Sequence, residues 1–367
     1  MFFENTKCLN CSHGLAYLPD CEEMTALSDV EGQPRRRLNP DNTADESYKL
    51  CANYSDNDIC NWALPSDDPQ THCQSCRLTH TIPNLAAPES KEAWIKLEAA
   101  KRRLVYALLR LKLPVNGKAL EPESGLEFRF LSDSTDSFGD RSRVLTGHDN
   151  GLITINVAEA DDVYRETQRL QHNEPYRTLL GHFRHEIGHY YWDRLIAGGN
   201  TLDEFRRLFG DERDDYQAAL ARHYAEGPPA NWADSFISAY ATTHPWEDWA
   251  ESWAHVMHMI DAIETAHFVG MSVHPARSNE PQLPEPTDPT RADVRDFDQL
   301  IEQWKTLTYV LNNLTRGLGL ADAYPFVLSS TIVEKLRFVC NTIAQSPRAP
   351  PSPTREGSAT HSGVSEP

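Results

Sequence analysis

Residues 185–189 read His-Glu-Ile-Gly-His, inside the longer run Leu179-Leu-Gly-His-Phe-Arg-His-Glu-Ile-Gly-His-Tyr-Tyr-Trp192. Apolar side chains recur at Leu179, Leu180, Phe183, Ile187, Tyr190, Tyr191 and Leu195. This spacing predicts an α-helix from Tyr176 to Ile196, with Pro175 at its start and Gly198-Gly199 beyond its end. On such a helix His185 and His189 leave the same face one turn apart and can grip one metal ion, while Glu186 points beside it toward a water molecule. The pattern fixes only three residues, so its context decides. A chance match falls more often on a solvated stretch, whereas this one is embedded among side chains that bury a helix and dry a metal. The chemistry expected is hydrolysis at zinc with Glu186 as general base, and an amide is its natural substrate.

A catalytic zinc takes three protein ligands, so one more is needed. The segment from His244 to His258 predicts a second helix, opened by Pro245 in its first turn and carrying Glu247 and Glu251 on one face. Tryptophans at 246, 249 and 253 alternate with acids at 247, 248 and 251, which argues against a fully solvated face. Glu247-Asp-Trp-Ala-Glu251 resembles the pattern of zincins whose third ligand is a glutamate. That resemblance implies Glu247 as the ligand, Ala250 letting two helices approach, and Glu251 orienting a histidine through its free ring nitrogen; Glu251 as the ligand is the alternative. Tyr240, His244 and His223 are candidates for the donor to a developing oxyanion, with Tyr240 and His244 expected beside Glu186 as catalytic residues. Residues Gly151 to Val157 alternate as a strand does, and fit the edge strand that in zincins precedes the motif helix and pairs with extended substrate.

With 367 residues, 40% of them apolar, the chain can hold one large domain and a smaller module. No stretch approaches the ~18 apolar residues of a membrane helix, and the start Met-Phe-Phe-Glu-Asn-Thr-Lys lacks a secretory pattern, so a cytoplasmic protein without a membrane partner is expected. A net charge of −19 disfavours nucleic acid, and the runs Arg35–Arg37 and Lys101–Arg103 are expected to be solvated faces.

Cysteine placement defines the smaller module. Seven of the eight cysteines fall within the first 76 residues, at 8, 11, 21, 51, 60, 73 and 76. Cys-x2-Cys pairs in a chain of this kind indicate structural zinc rather than disulfides, and a zinc ribbon is the economical expectation. The simplest site joins Cys8, Cys11, Cys73 and Cys76, with Cys51 and Cys60 forming an alternative site or half of another; Cys21 and Cys340 are expected to be free thiols. Downstream, a helix is predicted over Pro88–Leu113, a strand over Leu126–Leu131, a loop over Gly139–Asp149, and helices from Ala160 onward. A proline-rich break from His274 to Thr290 precedes helices over Phe297–Leu314 and Thr331–Ile343. Strands first and helices later make an α+β fold: a zinc ribbon over residues 1–85, a mainly helical zincin-like metallopeptidase domain with a small sheet over 86–344, and a disordered Pro/Ser/Thr-rich tail over 345–367.

Several segments together carry a family resemblance: Cys51-Ala-Asn-Tyr54, Cys60-Asn-Trp62, Cys76-Arg-Leu78, the run from Glu174 to Trp192, and His244-Pro-Trp-Glu-Asp-Trp-Ala-Glu251. They resemble the bacterial zinc-binding metallopeptidases of gluzincin type fused to an N-terminal zinc ribbon, over nearly all of residues 1–340. The resemblance implies one catalytic and one structural zinc, and a peptide or protein substrate. Such relatives often carry a further Cys-x2-Cys pair upstream of a segment like Phe2-Phe-Glu-Asn5, and a second ribbon zinc here would lack those ligands. A reading from another class is a binding or regulatory protein whose ribbon docks a protein partner and whose zincin fold is a metal-held scaffold. Glu186 separates the two, because a scaffold needs ligands but no general base.

Overall fold

A computed structural model describes residues 3–30, 33–38, 46–135, 141–172, 178–277, 279–291 and 296–346. Lacking long apolar runs, the N-terminal part folds as short strands held by turns. Strands β1 (Gly14–Leu18) and β2 (Glu23–Leu27) form a hairpin; β3 (Arg35–Arg36), β4 (Ser47–Leu50) and β5 (Ala63–Pro65) form an antiparallel sheet, with the one-turn helix α1 (Ala52–Ser55) between the last two. A bridge from Tyr17 to Trp62 couples hairpin and sheet, and Trp62 is fully buried there.

Strand β6 (Thr79–Thr81) leaves this unit and joins a different sheet, pairing in parallel with β7 (Glu127–Leu131). Helix α2 (Pro88–Arg110) lies between them in sequence, begins on a proline whose fixed φ suits a first turn, and ends in a turn at Lys112. After β7 come a small hairpin of β8 (Ser134–Thr135) and β9 (Arg141–Ser142), then β10 (Gly147–Asp149) and β11 (Leu152–Asn156). The sheet order is β10-β11-β7-β6, with β10 antiparallel to β11 and the other pairs parallel. The strand expected at Gly151–Val157 is therefore present as β11, but it is an inner strand and not the edge. Its side chains from Ile153 to Asn156 are all buried, as an inner strand covered on both faces requires. Among the described residues the outer strand next to the motif helix is β10, which lies in the stretch expected to be loop; Gly139 and Asp140 of that stretch lie outside the described residues.

The run Lys101–Arg103 is not the solvated face expected of it. Lys101 is fully buried, with Nζ 2.8 Å from Glu98 Oε2 and donating to Thr79 Oγ1 of β6. Arg102, also buried, donates to the Ile59 carbonyl in the N-terminal unit, and Arg103 reaches the surface to pair with Glu4 at 2.6 Å. Helix α2 is clamped between that unit and the sheet, so successive residues meet protein on two sides. Cys51, Trp62, Cys73 and Leu78 consequently share one core with Trp94 and Leu97 of α2 and Phe128 of β7.

The remainder is helical: α3 (Asp162–His172), α4 (Leu179–Leu195), α5 (Leu202–Phe209), α6 (Tyr216–Glu226), α7 (Pro245–Phe268), α8 (Phe297–Gly317) and α9 (Ser330–Gln345). Apart from α1 and α2, strands come first and helices later, in an α+β fold. The motif helix α4 starts on Thr178, whose hydroxyl accepts from the Gly181 amide at 2.9 Å; Pro175 lies outside the described residues. Helix α7 is the central helix, packed by α4, α5, α8 and α9. Buried Lys335 on α9 donates to the Asp248 carboxylate (2.6 Å) and to the Ser235 carbonyl (2.7 Å), fastening the C-terminal helix beside the acids of α7. The proline-rich stretch is irregular, as expected, and is pinned: His267 donates to the Pro286 carbonyl at 2.7 Å, and Asp288 pairs with Arg110 at 2.7 Å. Of the tail expected over 345–367, residues 347–367 lie outside the described residues.

Helices α4 and α7 approach closely because both contacting positions are small. A Cβ placed on Gly188 would meet Ala250 Cα at 3.0 Å and the Trp253 Cβ at 3.2 Å. Trp249 Nε1 donates to the Gly188 carbonyl at 2.8 Å, and Tyr191 stacks on Trp253. The part expected of Ala250 is thus shared with Gly188. Gly188→Ala is expected to force the helices apart at a cost of ~1–3 kcal/mol, the usual penalty of overpacking. Thermal unfolding of the variant checks this, and an unchanged Tm contradicts it.

Candidate metal centre

The tight α4–α7 contact brings three side chains together. His185 Nε2 lies 2.9 Å from Glu247 Oε2 and 3.2 Å from His189 Nε2, and His189 Nε2 lies 3.5 Å from the same carboxylate oxygen. Tetrahedral zinc with bonds of ~2.0 Å separates its ligands by ~3.3 Å, so these spacings suit one ion. The buried Oε2 of Glu247 accepts no hydrogen bond, leaving an acceptor that a cation would satisfy. Its other oxygen accepts from the Tyr216 hydroxyl at 2.7 Å. Glu251 takes the supporting place: its Oε1 is 2.7 Å from His185 Nδ1, the ring nitrogen that faces away from Glu247. The structure thus puts Glu247 among the candidate ligands and Glu251 behind His185.

Glu186 points into the cleft beside the two histidines. It is buried, Oε2 has no hydrogen-bond partner, and burial pushes its carboxyl above the ordinary value, with His185 and His189 pulling back. Tyr240 lines the same cleft with its ring 6.0 Å from that of His185, and burial followed by the Glu247 charge keeps its phenol protonated well above the ordinary value. His244 does not join them. Its Nδ1 accepts from the Trp246 amide at 3.2 Å to cap α7, and its Nε2 lies 3.0 Å from the Asp214 carbonyl, so both ring nitrogens are committed to backbone. The catalytic place expected of His244 is corrected to a helix cap. His223 stands one layer out, its ring 6.0 Å from that of Tyr240.

Tyr216 was not legible in the sequence. It lies 31 residues before Glu247, on the first turn of α6 after the capping Asp215, and nothing in its spacing links it to the acid. Tyr216→Phe is expected to leave the fold intact and weaken zinc binding ~10–100-fold, the usual effect of removing a group that orients a ligand. Chelator competition measures this, and unaltered affinity contradicts it.

A second cluster lies in the N-terminal unit. The sulfurs of Cys51, Cys60, Cys73 and Cys76 all fall within 4.8 Å of one another, and Cys60 Sγ is 3.8 Å from Cys73 Sγ. Zinc–sulfur bonds of ~2.3 Å in a tetrahedron separate sulfurs by ~3.8 Å. Amides of Cys73, Trp62 and Cys76 point at the sulfurs of Cys51, Cys60 and Cys73, at 3.3, 3.4 and 3.5 Å, and would stabilise thiolates. The grouping Cys8, Cys11, Cys73 and Cys76 is therefore corrected. Cys8 and Cys11 sit apart on a turn closed by Ser12 at φ 62°, Cys11 exposed, because the N-terminal turn precedes β1 while Cys51 and Cys60 flank α1 inside the core. Cys21 and Cys340 stand outside the cluster, and neither forms a disulfide.

Family comparisons match the two parts of the chain separately. Residues 90–342 match a family described as "Putative zinc-binding metallo-peptidase", and residues 1–87 match a zinc-ribbon domain. Uncharacterized proteins of Mycobacterium bovis and Mycobacterium tuberculosis are each 42% identical over 338 residues, spanning 92% of this chain and 90% of theirs. No solved structure matches the chain. Among the described residues no helix is long and apolar enough to cross a membrane.

Proposed function

For a chain that belongs to the zinc-binding metallo-peptidase family and carries a zinc-ribbon domain, we propose a working peptidase that hydrolyses peptide bonds with Glu186 as general base. The observation that carries this is the Glu186 carboxyl, desolvated and without a hydrogen-bond partner for Oε2 on the wall of the cleft. A metal-held scaffold needs His185, His189 and Glu247, but has no use for a carboxylate whose burial there costs free energy.

His185, His189 and Glu247 would hold a zinc ion, which would supply polarisation of the substrate carbonyl and acidification of water. Glu186 takes the proton of the attacking water and returns it to the leaving amine. Tyr240 donates to the carbonyl oxygen as negative charge develops. Glu251 fixes the ring of His185, and Tyr216 fixes Glu247. An extended peptide or protein segment adds to β10, whose residues Gly147, His148 and Asp149 line the cleft beside His189. Cys51, Cys60, Cys73 and Cys76 would hold a second, structural zinc. Thiols gathered for a metal suit a reducing compartment, which supports a cytoplasmic setting.

The test is digestion of a peptide library by the zinc-loaded protein, read by mass spectrometry. Cleavage that stops on chelation and returns with zinc is expected; no cleavage of any library peptide by zinc-replete protein contradicts the proposal.

A further inference from the structure

The cleft at the metal centre has two arms, and His185, Glu186 and Tyr240 line both. The larger is a cavity of about 520 Å³ that reaches Tyr164 of α3 and Phe326. The smaller, of about 400 Å³, follows β10. This arm is short. Strand β10 offers three residues, ~10 Å of extended backbone, and after Asp149 the chain turns back through Asn150 at φ 47° and Gly151 at φ 82°. A substrate strand added to β10 loses its hydrogen-bonding partner at that turn.

Asp193 lines the same arm, with a side chain that is 53% exposed. It follows His189 by one turn on the face of α4 that carries both histidines, so the two Cβ atoms stand ~6 Å apart. Beside it is His148 of β10, whose side chain is 7% exposed. The Gly151 amide donates to His148 Nε2 at 2.9 Å, which leaves the ring hydrogen on Nδ1, 3.9 Å from Asp193 Oδ2. Burial lowers this imidazole to about 4, so it carries no charge at neutral pH. Its Nδ1–H is thus aimed at the carboxylate across a gap too long for a hydrogen bond, and has no other partner among the described residues. No lysine or arginine pairs with Asp193 there either. Arg194 is bound to Glu121 at 2.5 Å, and Lys118 donates to the Glu123 and Asn150 carbonyls at 3.2 and 2.7 Å.

An unpaired carboxylate in a peptide-binding cleft suits an ammonium group. Peptides supply one from the amino terminus or from lysine. The α-amine lies about 2.5 Å from its own carbonyl carbon and so stays near a carbonyl held at the metal, whereas a lysine ammonium stands off at the end of a four-carbon stem. A carboxylate one helical turn from a metal ligand, in an arm that ends within three residues, matches the amino terminus. We infer that Asp193 receives the free amino terminus of the substrate, so that the cleft works from the N-terminal end of a chain whose remainder lies in the larger arm. This rests on the peptidase reading of the same cleft, and each therefore has its own readout.

Binding is measured by fluorescence anisotropy on zinc-loaded, full-length Glu186→Gln protein, with alanine-based peptides labelled at the C-terminus. One probe has a free amino terminus, one is N-acetylated, and one is N-acetylated with lysine as its first residue. The free amine is expected to bind at least about tenfold more tightly than its acetylated twin, the worth of one charge-assisted hydrogen bond. Adding Asp193→Asn is expected to erase that difference while zinc content and Tm hold; should this variant fail to fold, Asp193→Ser takes its place. A preference that survives the substitution, as for an amine held by the metal itself, overturns the site. So do equal binding of the free and acetylated peptides, an acetylated lysine peptide that binds as tightly as the free amine, and no binding of any peptide. Wild-type protein incubated with the same peptides tests catalysis separately. Cleavage of free and acetylated peptides alike removes the amine site and keeps the peptidase, whereas an Asp193-dependent amine preference in binding without cleavage keeps the site and removes the peptidase.

Discussion

Glu186→Gln is expected to retain its zinc and to lose peptide hydrolysis by ~10²–10⁴-fold, the usual contribution of a general base. The amide is nearly isosteric with the carboxylate and leaves His185, His189 and Glu247 in place, but it cannot accept a proton. It also spares the protein a buried carboxylate, so the variant should be no less stable than the wild type, a gain in stability that accompanies loss of function. Turnover, metal content and Tm measured together test this. Full activity in the variant removes Glu186 from the chemistry, and loss of zinc with activity makes it a structural residue.

Cys73→Ser is expected to unfold more than the zinc ribbon. The four buried cysteines share a core with Trp94, Leu97 and Phe128; β6 leaves the ribbon to pair with β7; and Arg102 on α2 donates to Ile59. A structural zinc contributes ~10 kcal/mol or more of folding free energy, so its loss should lower the Tm of the catalytic part as well, by more than about 10 °C. The pair Cys8→Ser, Cys11→Ser, on a turn outside the cluster, should change Tm little. A catalytic part that melts unchanged in Cys73→Ser would show the ribbon to be an independent module.

Residues that act through local periodicity were legible in the sequence. The spacing of His185 and His189 on an apolar helix, and of Glu247 and Glu251 on a helix opened by Pro245, put each pair on one helix face, and the structure brings those faces together; the placing of Glu251 behind His185 came only from the zincin resemblance, with Glu251 as ligand the alternative. Pairings set by long-range contact were not. Which four of six cysteines meet depends on how the chain returns from Cys51 to Cys73, and a Cys-x2-Cys spacing says nothing about that. Strand β11 was visible from its alternation, but alternation reports extended backbone and not neighbours, so the edge was assigned one strand too far along. Lys101 looked solvated because charge runs usually are; its partner Glu98, one helical turn earlier, was the available hint. Nothing local connects Tyr216 to Glu247, or distinguishes a histidine that caps a helix from one that faces a substrate, and so Tyr216 was missed and His244 misplaced.

The most direct measurement is zinc stoichiometry by elemental analysis on the wild type and on protein carrying His185→Ala with Glu247→Ala. A catalytic centre built on α4 and α7 beside a ribbon zinc predicts two zinc ions per wild-type chain and one in the double variant, with its ribbon intact. Full metal content in the double variant would contradict it, leaving the His-Glu-x-x-His helix as structure without a metal.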